Sequence, residues 1–431
     1  MLVNLVCLNY PPEPTGVAVY TGALADDLAK RGVDVTVITG VPHYPQWRVY
    51  DGYGRSRTEI RDGLTVTRRR HPVPVKPQVV NRLGMELTFG LKAMITHCDA
   101  SDVVVLVNPA LFSSIPVALK AALRRRPVVV WVQDIYSLAI AETGRGGSIA
   151  GKLLASAERG LLNRAQAVVV IHDRFKQHLV TQLGVDPEKV SVIRNWCHID
   201  EVPAHTQGSR DEMRRQLGWG HDVTVLLHAG NMGAKQGLAN VVEASRIANQ
   251  ANLPVLFVLM GAGSQRAELE AMGNNRCLQI IDPLPSESFS TALRAADALL
   301  INERGGVTEM SVPSKLTSYF ATGLPIIAAT DSGSVTAEEI EASGAGIRVD
   351  ADKPELIVRT ALEFRNNPQM ARALGKKGLE FRRSHLSADS SLDSFHKLLL
   401  KLAANSSRSR RGSVPDKQPW LIDEIKDSQL V

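Results

Sequence analysis

Val312-Pro-Ser-Lys-Leu-Thr-Ser-Tyr-Phe-Ala-Thr-Gly-Leu-Pro-Ile-Ile-Ala-Ala329 joins a polar turn, a short helix and a buried strand in one continuous stretch. Ser311 to Ser314 have turn and N-cap chemistry, and residues 315–322 can wind about two helical turns. Gly323 suits the left-handed end of that helix, and the apolar run 325–329 reads as an interior strand. Free backbone N–H groups at the start of such a helix, with Lys315 on its first turn, favour a diphosphate. The stretch therefore predicts an α/β fold with a nucleotide ligand.

Working outward, short β-branched runs alternate with helical patterns along the chain. Strands are expected at 2–8, 33–38, 103–107, 128–132, 168–171 and 191–193. After a polar, helix-poor stretch at 202–220 the pattern restarts, with strands at 223–227, 255–260, 278–281, 298–301, 325–329 and 346–349. Continuous apolar runs without alternation indicate parallel sheets buried on both faces. Two such series predict two doubly wound, Rossmann-like domains facing across a cleft, which is the expected ligand site. The boundaries read as 1–200 for the first domain and 201–385 for the second. Residues 386–403 read as a last helix returning to the first domain, and 404–431 as a flexible tail.

Composition agrees with this frame. At 431 residues, 44% hydrophobic and 22% charged, the chain can build two or three large cores. Cys7, Cys98, Cys197 and Cys277 are far apart and form no C-x-x-C pair, so zinc ribbons and disulfide frameworks are not supported, and a reducing compartment is expected. Residues 1–8 are apolar but interrupted by Asn4, and no segment reaches the roughly 18 apolar residues of a spanning helix. A soluble or peripheral cytoplasmic protein is expected. Residues 1–200 hold 24 Lys and Arg against 17 Asp and Glu, a net +7, whereas the remainder is −1. The runs Arg68–Arg70 and Arg124–Arg126 could face anionic lipid, a diphosphate-bearing acceptor or nucleic acid, or form a solvated basic surface.

Three glycine-bearing loops follow strands. Asn9-Tyr-Pro-Pro-Glu-Pro-Thr-Gly16 leads into a helix near 17–30, and Gly16 allows close backbone approach, although the loop lacks the G-x-G-x-x-G fingerprint. His228-Ala-Gly-Asn-Met-Gly-Ala-Lys-Gln-Gly-Leu238 surrounds Lys235 with glycines at a strand's carboxyl end, where phosphates are commonly held. Gly261 and Gly263 repeat the arrangement after the strand 255–260.

Together these motifs resemble the family-4 glycosyltransferases of the GT-B fold, in particular bacterial enzymes of exopolysaccharide, colanic-acid and O-antigen synthesis. In that family Gly-Asn-x-Gly-x-Lys-Gln-Gly, Gly-x-Gly and Val-Pro-Ser-Lys recur in this order. The first half agrees through Asn9–Gly16, Thr39-Gly-Val-Pro-His-Tyr-Pro45, Tyr50-Asp-Gly-Tyr53, Asp62-Gly-Leu-Thr-Val66 and Arg194-Asn-Trp196. The resemblance spans about residues 1–400. It implies a nucleoside diphosphate sugar as donor and a saccharide or polyprenyl-diphosphate-linked acceptor. Lys235 and Asn231 would neutralise the diphosphate, with Gly16 approaching it across the cleft. Glu309 and the backbone of Ser311, Val312, Pro313 and Ser314 would contact sugar and phosphate, and Lys315 would add charge. Asp134, in Val132-Gln-Asp-Ile-Tyr136, matches an acidic position facing the acceptor. Two positions depart from the pattern. Ser318 stands where many relatives carry a ribose-binding glutamate, and Ser137-Leu138 stand where Pro-Glu is common.

Glycosyl transfer of this kind needs a stabilised leaving diphosphate and an oxocarbenium-like sugar in a water-poor cleft. No cofactor is expected, and no metal, because no Asp-x-Asp stands at a strand end; Asp26-Asp27 lies within the first helix. Retention of configuration follows from the resemblance alone. His43, His172 and His228 read as structural, and His97 and Cys98 as packing residues. The helix Arg82-Leu-Gly-Met-Glu-Leu-Thr-Phe-Gly-Leu-Lys-Ala-Met-Ile95 reads either as core-facing or as a membrane-surface element. A sugar-nucleotide 2-epimerase and a non-catalytic nucleotide-binding relative share the architecture. Nucleic acid ranks last, since aromatic content is 5% with no aromatic-basic platform.

Overall fold

The structure, a computed structural model, describes residues 1–411 except 15, 62, 76–78, 97–100, 141–148, 198–206, 274 and 307–313. The first domain runs β1 (Leu2–Cys7), α1 (Val17–Lys30), β2 (Asp34–Gly40), β3 (Arg57–Arg61), β4 (Leu64–Arg69), α2 (Val79–Ile95), β5 (Val103–Asn108), α3 (Leu111–Leu123), β6 (Val128–Val132), α4 (Tyr136–Ile140), α5 (Ile149–Arg164), β7 (Ala167–Val170), α6 (Asp173–Thr181) and β8 (Val190–Val192). The second runs α7 (Gln207–Leu217), β9 (Thr224–Ala229), α8 (Ala239–Gln250), β10 (Val255–Met260), α9 (Arg266–Met272), β11 (Leu278–Ile281), α10 (Ser286–Ala295), β12 (Ala298–Asn302), α11 (Ser314–Phe320), β13 (Ile326–Ala329), α12 (Val335–Ser343), β14 (Gly346–Val349), α13 (Pro354–Asn366) and α14 (Pro368–His385). A final helix, α15, spans Ala388–Arg411.

Each sheet is doubly wound. The first has strand order β3-β4-β2-β1-β5-β6-β7-β8 and the second β11-β10-β9-β12-β13-β14. Every pairing is parallel except β3 with β4. Central strands such as β5 (Val-Val-Val-Leu-Val-Asn) and β9 (Thr-Val-Leu-Leu-His-Ala) are buried along their whole length. Helices on both faces demand that burial, so the strands carry no polar alternation. In both sheets the order reverses beside the first strand of the series, which opens a crevice at the carboxyl ends of the strands. The architecture is GT-B: two parallel-sheet α/β domains.

Besides α7, which winds Gln207–Leu217 inside the stretch read as helix-poor, two readings of the sequence need correction. No strand was expected between 38 and 103, yet β3 and β4 form an antiparallel hairpin on the edge of the first sheet. β3 is Arg-Thr-Glu-Ile-Arg and mostly exposed, so it has no apolar run to mark it. Charged residues on an edge strand also discourage further pairing. The second correction concerns Arg68, read as part of a basic surface. Arg68 is buried in β4, where Nη2 donates to Pro11 O at 2.6 Å and Nε to Glu59 Oε1 at 3.2 Å, while its guanidinium lies 5.1 Å from the Tyr53 ring centroid. Arg69 donates to Thr96 Oγ1 at 2.8 Å. Of this run Arg70 alone is exposed, so the run is no solvated basic face.

α15 leaves the second domain and packs on the first. Leu392, Phe395 and Leu399 share a core with Val129, Trp131 and Trp196. Phe395 meets Trp131 edge-on at 4.7 Å, and Trp131 stacks on Trp196 at 6.3 Å. The two chain crossings between the domains are tied to each other by Cys197 N to Leu386 O (3.3 Å) and Ser391 Oγ to Arg194 O (3.0 Å). The helix continues past residue 403, where the sequence suggested a flexible tail, to Arg411. Among the described residues no helix is long and apolar enough to cross a membrane.

Because Phe395 is fully buried among these rings, Phe395→Ala leaves a cavity that the stacked indoles cannot close. It should lower the stability of the first domain by about 3–5 kcal/mol, read by denaturant unfolding followed through tryptophan fluorescence.

Candidate active site

The carboxyl ends of the first sheet's strands carry three loops that converge. Glu13, buried after β1, accepts from the backbone N–H groups of His43 (2.7 Å) and Tyr44 (2.9 Å) and from Asn9 Nδ2 (2.8 Å). Its carboxylate thereby ties the loops after β1 and β2 together. Gly16, the residue preceding α1, has φ 67°, and a Cβ there would lie 3.7 Å from the Tyr44 ring. A side chain at position 16 would be strained and would fill the space facing the ring.

Asp134 follows β6. The loop bearing it is held by Glu158, a fully buried carboxylate on α5 that accepts from Tyr136 N (2.8 Å) and Ser137 N (2.9 Å). Burial pushes the Asp134 carboxyl up to about 6, against the opposing pull of Lys235 and Arg82. Arg82, on the first turns of α2, also lies 5.8 Å from the Trp47 ring centroid, so a cation and an aromatic surface stand on the Asp134 side of the cleft. The electrostatic reach from Asp134 to Lys235 joins the two domains at their strand ends.

On the second domain, the loop after β9 is built against its neighbours by backbone contacts. Gly230 N bonds Met260 O at 2.8 Å and Met232 N bonds Ala262 O at 2.9 Å. A Cβ on Gly261 would sit 1.9 Å from Gly230 O, and one on Gly263 2.4 Å from Met232 O, so only glycine permits this approach. Lys235 O accepts from Arg304 N (2.9 Å), and Asn302 Nδ2 donates to Gln236 O (2.7 Å) and Gly237 O (3.0 Å). The backbone around Lys235 is thus fixed by the end of β12, while the Lys235 and Asn231 side chains remain exposed to the cleft.

Lys315 departs from its expected role as an outward cation. On α11 it turns inward, with Nζ 2.9 Å from His228 Nε2, and burial lowers its pKa to about 7 despite the attraction of Glu303. His228 is fully buried and its Nδ1 lies 3.2 Å from Leu300 O; burial and Lys315 hold its pKa well below the usual histidine range. With Nδ1 bonded to a carbonyl, Nε2 is the acceptor for the ammonium. Glu303, raised by burial, accepts from the hydroxyls of Thr330 and Thr336. Ser318 is buried on the same helix. Glu309, Ser311, Val312 and Pro313 lie outside the described residues, as does the Ser314 side chain.

Sequence reasoning passed over Glu13, Glu158, Arg82 and Glu303, and it took His228 for a structural residue. Only His228 carried a local signal, standing directly before the glycine loop. His172 does have a structural role: its Nδ1 accepts from Arg174 N (3.1 Å) as the N-cap of α6, and Nε2 bonds Glu339 Oε1 of the second domain at 3.0 Å. α1 and α11 also meet across the cleft, where Thr317 lies against the Tyr20 hydroxyl.

Two facing Rossmann-like sheets with a carboxylate on one lip and a glycine-cradled lysine on the other define a GT-B cleft, and comparison with known proteins agrees on the fold. Residues 15–196 match the glycosyl transferase 4-like domain and residues 209–381 the glycosyl transferases group 1 domain. WcaI of Escherichia coli, assigned as a colanic acid biosynthesis glycosyl transferase, is 30% identical over 398 residues, covering 88% of this chain and 97% of WcaI. The chain belongs to the family-4 glycosyltransferases. Among solved structures, sucrose-phosphate synthase from Thermosynechococcus elongatus superposes with TM-score 0.71 at 16% identity, over 94% of this chain and 99% of that one. HepE from Anabaena, in complex with UDP, superposes with TM-score 0.69 at 14% identity, over 93% of this chain and 100% of that one.

The raised Asp134 carboxyl has a stability consequence. Its folded-state pKa lies above the ordinary value, so the native state binds the extra proton between about pH 4 and 6 and loses stability as pH rises through that window. Asp134→Asn should therefore be more stable than the parent at pH 7.5, by about 1–3 kcal/mol, with the gain fading towards pH 4. Thermal unfolding across that pH range measures it.

Proposed function

We propose that the chain transfers a glycosyl group from a nucleoside diphosphate sugar to a hydroxyl of a polysaccharide or polyprenyl-diphosphate-linked saccharide. The observation that carries this reading is that Asp134 follows β6 of one domain and Lys235 sits in the glycine loop after β9 of the other, within electrostatic range of each other. That pair separates the two tasks of the reaction. Lys235, with Asn231 and the N–H groups of the Gly230–Gly237 loop, offsets the negative charge that builds on the diphosphate as the glycosidic bond breaks. Asp134, with a pKa of about 6, is ionised at neutral pH and suited to orient an acceptor hydroxyl by accepting its hydrogen bond. Arg82 and Trp47 stand on the same side, where a sugar ring or an acceptor phosphate would lie.

The donor reading is supported by HepE, whose structure carries UDP, and the acceptor reading by WcaI, whose description places it in colanic acid biosynthesis. Family membership supports retention of configuration at the anomeric carbon. The chemistry asks for no metal: positive side chains and oriented N–H groups supply the charge that a cation would otherwise provide. A polyprenyl-bound acceptor would place the reaction at the inner face of the plasma membrane.

Incubation with radiolabelled UDP-, GDP-, ADP- and dTDP-sugars and lipid-linked acceptors tests the assignment directly. Lys235→Ala should lower turnover by about two or more orders of magnitude with the melting temperature unchanged. Near-normal turnover in that variant would remove Lys235 from the site. EDTA should leave transfer unchanged; a loss restored by Mg²⁺ or Mn²⁺ would overturn the metal-free mechanism.

A further inference from the structure

We propose that the outer face formed by α2, α3 and α5 docks the protein on an anionic lipid bilayer. α2 is apolar on two opposite sides. Met85, Phe89 and Ala93 are buried against the first sheet, yet Val80, Leu87, Leu91 and Ile95 point outward with 76%, 39%, 52% and 70% of their surface exposed. One apolar stripe is enough to seat a helix on a sheet, and the second is left exposed among the described residues. α3 lies beside α2, joined where Glu86 accepts from Phe112 N at 3.2 Å, and it continues the patch with Leu119 (60%) and Leu123 (77%). α5 packs on α3 and adds Ile149 (80%) and Leu153 (66%). Exposed apolar residues gathered on three helices that pack side by side mark an interaction surface, in contrast to apolar residues scattered singly.

The charge around the patch selects the partner. The only acidic residues of these three helices are Glu86 and Glu158, and both are buried and bonded to backbone N–H groups. Among the described residues these helices therefore expose no carboxylate, while Lys152, Arg124 and Arg125 are exposed on them or at their edge. An apolar surface edged by these cations complements a layer of anionic headgroups over hydrocarbon. A second copy of the chain would bring the same cations together across a two-fold axis. The surface extends the function proposed above, because the helix that would lie on the bilayer also carries Arg82 into the cleft beside Asp134. A lipid-linked acceptor would approach along it.

Flotation with phosphatidylcholine vesicles, with and without phosphatidylglycerol, at low and high salt, tests the proposal on the full chain. Binding should require the anionic lipid and weaken with salt. Arg124→Gln/Arg125→Gln should reduce partitioning about thirtyfold, at roughly fivefold per basic residue. Leu87→Ser/Leu91→Ser/Ile95→Ser should reduce it more than tenfold. Since the end of α15 is also rich in arginine, the apolar variant is the decisive one: unchanged flotation there overturns the proposal. So does parent protein that never floats, or sedimentation velocity showing a dimer that the apolar variant abolishes. Circular dichroism and the UDP-induced thermal shift, measured on every variant, confirm the fold. Loss of the UDP shift in the parent protein would count against the donor reading and leave the flotation result standing.

Discussion

Glu339 sets the geometry on which the cleft depends. It is buried on α12 of the second domain and accepts from His172 Nε2 at 3.0 Å and Arg194 Nη1 at 2.7 Å, two side chains that follow β7 and β8 of the first. Burial alone would raise its pKa, but these partners hold the carboxyl below its usual range. A buried carboxylate without them would cost several kcal/mol, so the cluster specifies one relative placement of the sheets more than it adds net stability. Arg174 reinforces it, reaching Glu338 Oε1 at 2.6 Å and the carbonyl of Gly333. With the sheets held in this way, strand ends that could face anywhere face one another.

This latch is polar, whereas the four apolar cores each belong to a single domain face. Parting the domains would therefore rehydrate an ion cluster without exposing a core. Interfaces of that composition allow relative movement between domains. The covalent crossings behave differently, since residues 194–197 and 386–391 are bonded to each other and lie beside the Trp131, Trp196 and Phe395 rings. Packed aromatics make that end a firm pivot, and Arg194 joins the latch to it, since its carbonyl accepts from Ser391 Oγ while its guanidinium reaches Glu339.

The fold was legible in the sequence because parallel sheets buried on both faces write themselves as unbroken apolar runs, and those runs are found in place in β1, β5, β6, β9, β10 and β12. The hairpin β3–β4 was not legible, since a polar edge strand lacks that signature. Glycine loops revealed where backbone comes close to backbone but could not show what crosses the cleft. The pairing of Asp134 with Lys235 joins residues about a hundred positions apart, and no spacing rule spans such a gap. Glu13, Glu158 and Glu339 were hidden for a related reason. A carboxylate that caps a loop or ties two domains is defined by distant N–H groups, and from its neighbours alone it reads as one more surface acid.

Lys315 shows how far residue type falls short of charge. In the sequence it is a cation on the first turn of a helix, but desolvation beside His228 brings its pKa to about 7, so it is only partly charged at neutral pH. Glu303 draws the pKa back up, though it shares its carboxylate with Thr330 and Thr336. Ser318 stands three residues further along α11, on the neighbouring turn of the same helix face. A carboxylate there would lie close enough to favour the charged ammonium; a serine hydroxyl provides no such charge. Residue 318 thus bears on the charge of Lys315, which stands poised between its two protonation states beside the exposed Lys235 loop.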